Sequence, residues 1–174
     1  MVTKKYSSPK EGASLVTVIS TGMTTPIVQI KYSTLVAPFY YPNSPSVPRF
    51  SVTCVFDPKI HNDFLQNLQK IEKAHKVETV IKNETEKNEG ELYHTGKFLI
   101  KFQDRKKIPV YENDFEESQE GLAPELLELE SELQKDEQVS IVFNIMRFTK
   151  KNTAQVEHGI SLVPTAIHLY RREA

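Results

Sequence analysis

Cysteine is nearly absent, with Cys54 alone in 174 residues. One thiol can form neither an intramolecular disulfide nor a multi-thiolate metal site, so the composition suits a reducing compartment and a cytoplasmic setting is expected. The 6 glycines are scattered singly. With no G-x-G-x-x-G and no P-loop, no run of backbone amides can cradle a phosphate, which disfavours nucleotide hydrolysis. The 5 histidines (His61, His75, His94, His158 and His168) show neither the H-E-x-x-H spacing nor pairing with cysteines. No metal and no cofactor is therefore expected. No apolar run approaches the roughly 20 residues of a membrane-spanning helix, and the opening MVTKKYSSPKEG carries no apolar segment, so neither secretion nor membrane insertion is expected. Without secretion the acceptor triplet Asn83-Glu84-Thr85 has no meaning for glycosylation. The absence of an internal period excludes solenoids and coiled coils.

What is present is one domain's worth of apolar material, 39% hydrophobic residues with 9 Phe and 7 Tyr, and an uneven charge distribution. Residues 112 to 138 hold 11 acidic side chains and one basic, net −10, whereas the whole chain is at −1, so everything outside this insert is basic, at +9. Surface potential follows such clustering rather than the sum. The insert lacks the ligand spacing and central glycine of a calcium loop, and reads as a solvated acidic face.

Along the chain, residues 1–13 read as a disordered polar arm. SLVTVIS (14–20) and PIVQIKYSTLV (26–36) are β-branched and alternating, with a small polar loop between them, the pattern of a hairpin. PFYYPNSPSVP (38–48) is a loop, since four prolines remove ladder donors. RFSVTCVF (49–56) is a strand with Phe50, Val52, Cys54 and Phe56 on its core face, where a thiol acts as a small hydrophobe rather than a nucleophile. Asp57 and Pro58 then start a helix over about 58–75, with Ile60, Phe64, Leu68 and Ile71 at helical spacing. VETVI (77–81) suggests a short strand and NETEKNEGE (83–91) a charged linker. GKFLIKF (96–102) alternates again, IPVY suggests another strand, and PELLELESELQK suggests a short acidic helix over about 124–135. VSIVFNIMRF (139–148) and ISLVPTAIHLY (160–170), interrupted by Pro164, complete seven or eight strands with one good helix, which indicates a barrel or sandwich.

Basic and aromatic residues interleave along these strands. Lys31, Arg49, Lys97, Lys101, Arg105, Lys106, Lys107 and Arg147 are candidate phosphate contacts, and Tyr32, Tyr40, Tyr41 and Phe148 candidate stacking surfaces. Cations track phosphates, and aromatic faces stack on unpaired bases at roughly 1–3 kcal/mol per base, neither depending on base sequence. For any one lysine an ordinary solvated surface is the competing reading. The loop aromatics around Tyr40 and Tyr41 either stack on bases or cap the end of a barrel. Strand parity with Ile141, Phe143 and Ile145 points Arg147 inward unless a bulge or the strand end re-aims it.

KYSTLVAPFYYP leading to PRFSVTCVFDPK, the helical LQNLQKIEKA, GKFLIKFQDRKKIPVY, VSIVFNIMRF and HGISLVPTAIHLY together resemble, in order and spacing over residues 26–170, the phage-type single-stranded DNA-binding proteins with an OB-fold. The resemblance implies a mainly β fold, an OB-like five-stranded barrel with extra strands and an inserted helix. Residues 14–174 would form one nucleic-acid-binding domain carrying the acidic insert. It further implies a non-enzymatic, sequence-independent binder of single-stranded DNA in replication, recombination or repair, in the host cytoplasm if phage-encoded. Replication or recombination proteins and further copies of the chain are its implied partners. Such proteins often end in an acidic segment that competes with DNA, whereas this chain ends LYRREA, so the competing role is expected of the insert. Two other readings stay open: a protein-interaction or virion-structural β-sandwich, and a metal-dependent nuclease or recombinase component. Tracking and stacking suit DNA and RNA alike, since only contacts at the ribose 2′-hydroxyl discriminate.

Overall fold

The computed structural model describes residues 3–6, 14–39, 48–114, 125–151 and 156–171. Its centre is β4 (Arg49–Phe56), where Val52, Cys54 and Phe56 are wholly buried as their alternation requires. Burial pushes the Cys54 thiol far above its ordinary pKa, so it stays a protonated core group. β4 pairs antiparallel with β3 (Val28–Phe39) on one side and β6 (Glu91–Asp104) on the other. β5 (Lys82–Asn88) lies outside β6. Beyond β3 come β9 (Gln138–Lys151), β10 (Val156–Arg171), β7 (Val110–Asp114) and β8 (Glu125–Leu127), with β2 (Ser14–Thr24) on β9 and β1 (Thr3–Tyr6) on β2, making a 10-stranded sheet. β7 runs parallel to β10; every other pairing is antiparallel. With its one helix among the described residues, this is the expected mainly β, OB-like fold.

The helix α1 (Pro58–His75) follows its sequence signals. Asp57 accepts a hydrogen bond from the Lys59 amide at 3.0 Å, Pro58 occupies the first turn, and Lys76 ends the helix in the left-handed region at φ 53°. Leu65 and Leu68 are buried and Phe64 packs against the core. Phe64 stacks on Phe56 at 5.2 Å and meets Phe143 edge-on at 6.1 Å, while Phe102 meets Phe143 at 5.0 Å. Such pairs are each worth about 0.5–1.5 kcal/mol beyond the area they bury. Ile60, expected on the apolar face, is 74% exposed, because it lies in the first turn beside the non-helical φ of His61.

Several expectations need correction. β2 and β3 do not form a hairpin; both pair with β9, β3 through Val28 and Gln29 and β2 further along. The chain passes from one to the other at Thr25, whose amide and hydroxyl both engage Ile141, so the two strands share one edge of β9. VETVI is not a strand; the strand is the charged stretch after it, β5. A two-residue turn at Glu89 and Gly90, both at positive φ, closes β5 on β6, and backbone pairing forms this hairpin without an apolar face. The acidic helix is absent: residues 125–127 pair with the open edge of β7, which supplies ladder hydrogen bonds that an isolated short helix cannot match. Pro164 does not interrupt β10, because the register shifts between Pro164 and Ala166 absorb it as a bulge. Of the expected N-terminal arm, Thr3–Tyr6 forms β1, and the rest of residues 1–13 lies outside the described residues.

One carboxylate holds the base of the proline-rich stretch. β3 and β4 pair as far as Thr34 and Ser51 and again at Phe39 and Arg49. In the gap between, Glu132 accepts from the backbone amides of Leu35, Val36 (2.7 Å) and Ala37 (3.0 Å), and Leu133 beside it is buried. Part of the acidic insert is thus built into the fold.

Candidate nucleic-acid interface

The outer face of β3, β4 and β6 carries the candidate site. Since Val52, Cys54, Ile100 and Phe102 point into the core, their neighbours Thr53, Leu99, Lys101 and Gln103 point out. A bulge between Ile30 and Tyr32 leaves Lys31 without a partner on β4 and brings Tyr32 opposite Thr53. Thr53 in turn faces Lys101, so Tyr32, Thr53 and Lys101 form one row across three strands. Tyr32 is 56% exposed, whereas Thr53 Oγ1 is buried with no hydrogen-bond partner.

This row floors a groove of about 920 Å³. One wall is the segment Lys76–Val80 with Lys82; the other is the β9–β10 pair, with Phe148, His158 and Gly159. The first wall is fixed by the buried carboxylate of Glu72, which accepts from Thr79 Oγ1 at 2.9 Å and from the Val80 amide at 2.6 Å. On the second, Phe148 pairs with Gly159 across the strands, and a Cβ on Gly159 would lie only 2.4 Å from the Phe148 ring. A side chain at this position would therefore have to push the Phe148 ring aside. The groove therefore presents two aromatic rings, Tyr32 and Phe148, with the ammonium groups of Lys76, Lys82 and Lys101 and one exposed carboxylate, Glu78.

Of the residues singled out in the sequence, Tyr32, Lys101 and Phe148 come together in this groove. Arg147 sits in an adjoining cleft, where its guanidinium donates to Thr149 Oγ1 at 3.3 Å and lies 3.1 Å from His158 Nδ1; the core face of β9 ends at Ile145, so its inward parity leads into this cleft and not into the core. Arg49 begins β4, and exposed Arg105, Lys106 and Lys107 follow the end of β6 that pairs with it, beyond the groove's Gln103. Lys97 is exposed on β6 near Glu84. Tyr40 and Tyr41 lie outside the described residues.

Lys31 is engaged elsewhere. Its side chain is 16% exposed, and its ammonium lies 3.0 Å from Glu84 and 3.5 Å from Glu86, tying β3 to β5. Burial opposes the charge on Glu84, but hydrogen bonds from Thr95 and Lys31 outweigh it and hold its pKa below the ordinary value. Burial likewise opposes the charge on Lys31, and the two carboxylates raise its pKa nonetheless. The pair thus stabilises the fold at neutral pH. Its contribution fades as pH falls through the lowered pKa of Glu84 or rises through the raised pKa of Lys31.

Lys76, Lys82, Thr53 and His158 were missed in the sequence. Lys82 opens a strand that reads as a linker, and Lys76 follows the helix as its cap; the only signal for the latter was a lysine just past the last helical turn. Among the described residues, no group of three His, Cys, Asp or Glu side chains could hold a metal ion. No described helix is long and apolar enough to cross a membrane.

Solved structures resemble this fold. A C-terminally truncated single-stranded DNA-binding protein of bacteriophage Enc34 aligns at a TM-score of 0.59 and 15% identity, covering 100% of this chain and 97% of that one. The chain shares its fold. The Enc34 protein in complex with single-stranded DNA gives 0.57 at 16% identity over 98% of this chain and 96% of that one. The single-stranded DNA-binding protein gp2.5 of bacteriophage T7 gives 0.58 at 12% identity over 87% and 92%. No family model and no curated protein matches the sequence.

Proposed function

We propose that this protein binds single-stranded DNA without sequence preference and covers strands exposed in replication, recombination or repair, catalysing no reaction. The host cytoplasm is the setting this implies. The observation that carries the reading is the Tyr32–Thr53–Lys101 row facing Phe148 across one groove. Two rings offer stacking faces to unpaired bases, and the three lysines offer charge to the phosphates between them. A duplex has its bases already stacked and offers these rings nothing. Arg49, Lys97, Arg105, Lys106 and Lys107 add a positive field around the groove that draws in a polyanion. The proteins that share this fold are single-stranded DNA-binding proteins, which supports the same reading.

Titration of fluorescent single-stranded DNA, single-stranded RNA and duplex DNA at two salt concentrations tests it. Single strands should bind in preference to duplex, with affinity falling on a log-log plot by about 0.7 per neutralised phosphate. Absence of binding would favour an interaction module, and magnesium-dependent cleavage of the DNA would favour a nuclease.

A further inference from the structure

Beside the groove opens a second cleft of about 480 Å³, sharing Lys76 and His158 with it. Thr17 and Ile19 of β2, Arg147 of β9 and the end of α1 at Ala74 and His75 complete its walls. Among the described residues that line it none is acidic, in contrast to the groove, which includes Glu78. Arg147 bonds to Thr149 and His158 there, and an arginine fork has more N–H donors than those two contacts use.

Building on the single-strand reading above, we propose that the strand leaving the groove turns past Lys76 and His158, around the end of α1, and seats a phosphodiester on Arg147 in this second cleft. The end of a helix carries a partial negative charge of about half a unit, which opposes a phosphate. Here the amides of Lys76 and Val77 donate to the carbonyls of Lys73 and Glu72, covering two of the helix's last carbonyls. The full charges of Lys76 and Arg147 outweigh what is left. Ile19 and Ala74 supply the apolar surface a sugar can lie against.

The consequence is a dependence on strand length. With oligothymidylates of about 6 and about 16 nucleotides, within the range of one OB fold, Arg147→Gln should weaken the longer complex by about tenfold to a hundredfold, as for one lost charged hydrogen bond. It should also lower the salt slope by about 0.7 and leave the shorter complex unchanged. Arg147→Lys, which retains the charge, should keep the slope. Equal weakening at both lengths, or no change at either, would overturn the second cleft while leaving the groove in place. If the unsubstituted protein bound neither oligonucleotide, the single-strand reading itself would fall.

Discussion

Lys101→Glu is expected to weaken binding of a single-stranded oligonucleotide by about a hundredfold at low salt, equivalent to about 2.7 kcal/mol. Lys101 stands at the β6 end of the row that floors the groove, opposite Thr53, which in turn faces Tyr32. Reversing its charge removes a phosphate contact and places a carboxylate where the backbone would run, so attraction is replaced by repulsion. The side chain is exposed on the outer face of β6, hence the melting temperature should hardly move. The same reversal at exposed Lys87, near the tip of the β5–β6 hairpin, is the control: it changes net charge equally but lies off the groove, and should alter affinity by no more than about threefold once salt screens it. Equal losses for the two variants would mean that binding follows overall charge and not this groove.

The largest effect on stability is expected from Glu132→Ala. Its carboxylate accepts from three successive amides of β3, in a gap where β4 supplies no ladder partners, and its removal leaves those amides without their acceptor. Charged hydrogen bonds are worth about 1.5–3 kcal/mol each but are not additive in a cluster, so a loss of about 3 kcal/mol is the reasonable scale. For a chain of this size that lowers the melting temperature by roughly 6–12 °C. Glu132→Gln keeps an acceptor oxygen without the charge and should fall between. An unchanged thermal transition in Glu132→Ala would show that water satisfies those amides equally well.

Glu132 also illustrates why part of the architecture could not be read from the sequence. In one dimension it belongs to an acidic run with leucines at helical spacing, and only the fold reveals that its partners lie on β3, about a hundred residues earlier. The strand β5 was illegible for a related reason: its stability comes from backbone pairing, the Glu89–Gly90 turn and the contact of Glu84 with Lys31, none of which leaves an apolar alternation. β4, α1 and β9 were legible because each presents a continuous apolar face with clear end signals, from Asp57 and Pro58 at the helix start to Ile141, Phe143 and Ile145 along β9. The site divides in the same way. Tyr32, Lys101 and Phe148 stood out as cations and aromatics on strands, and the fold brings them together. Lys76 and Lys82 join them from chain segments with no period to mark them, whereas Lys31, equally conspicuous in the sequence, is matched by two carboxylates.

The central claim, that unpaired bases lie against Tyr32 and Phe148, is tested most directly by photocrosslinking an oligonucleotide substituted with 5-iodouracil and mapping the attached peptides by mass spectrometry. Adducts should concentrate on Tyr32 and Phe148 and disappear when the unlabelled strand competes. Adducts confined to surfaces away from the groove, such as exposed Ile60 on α1 or Leu126 on β8, would contradict the account.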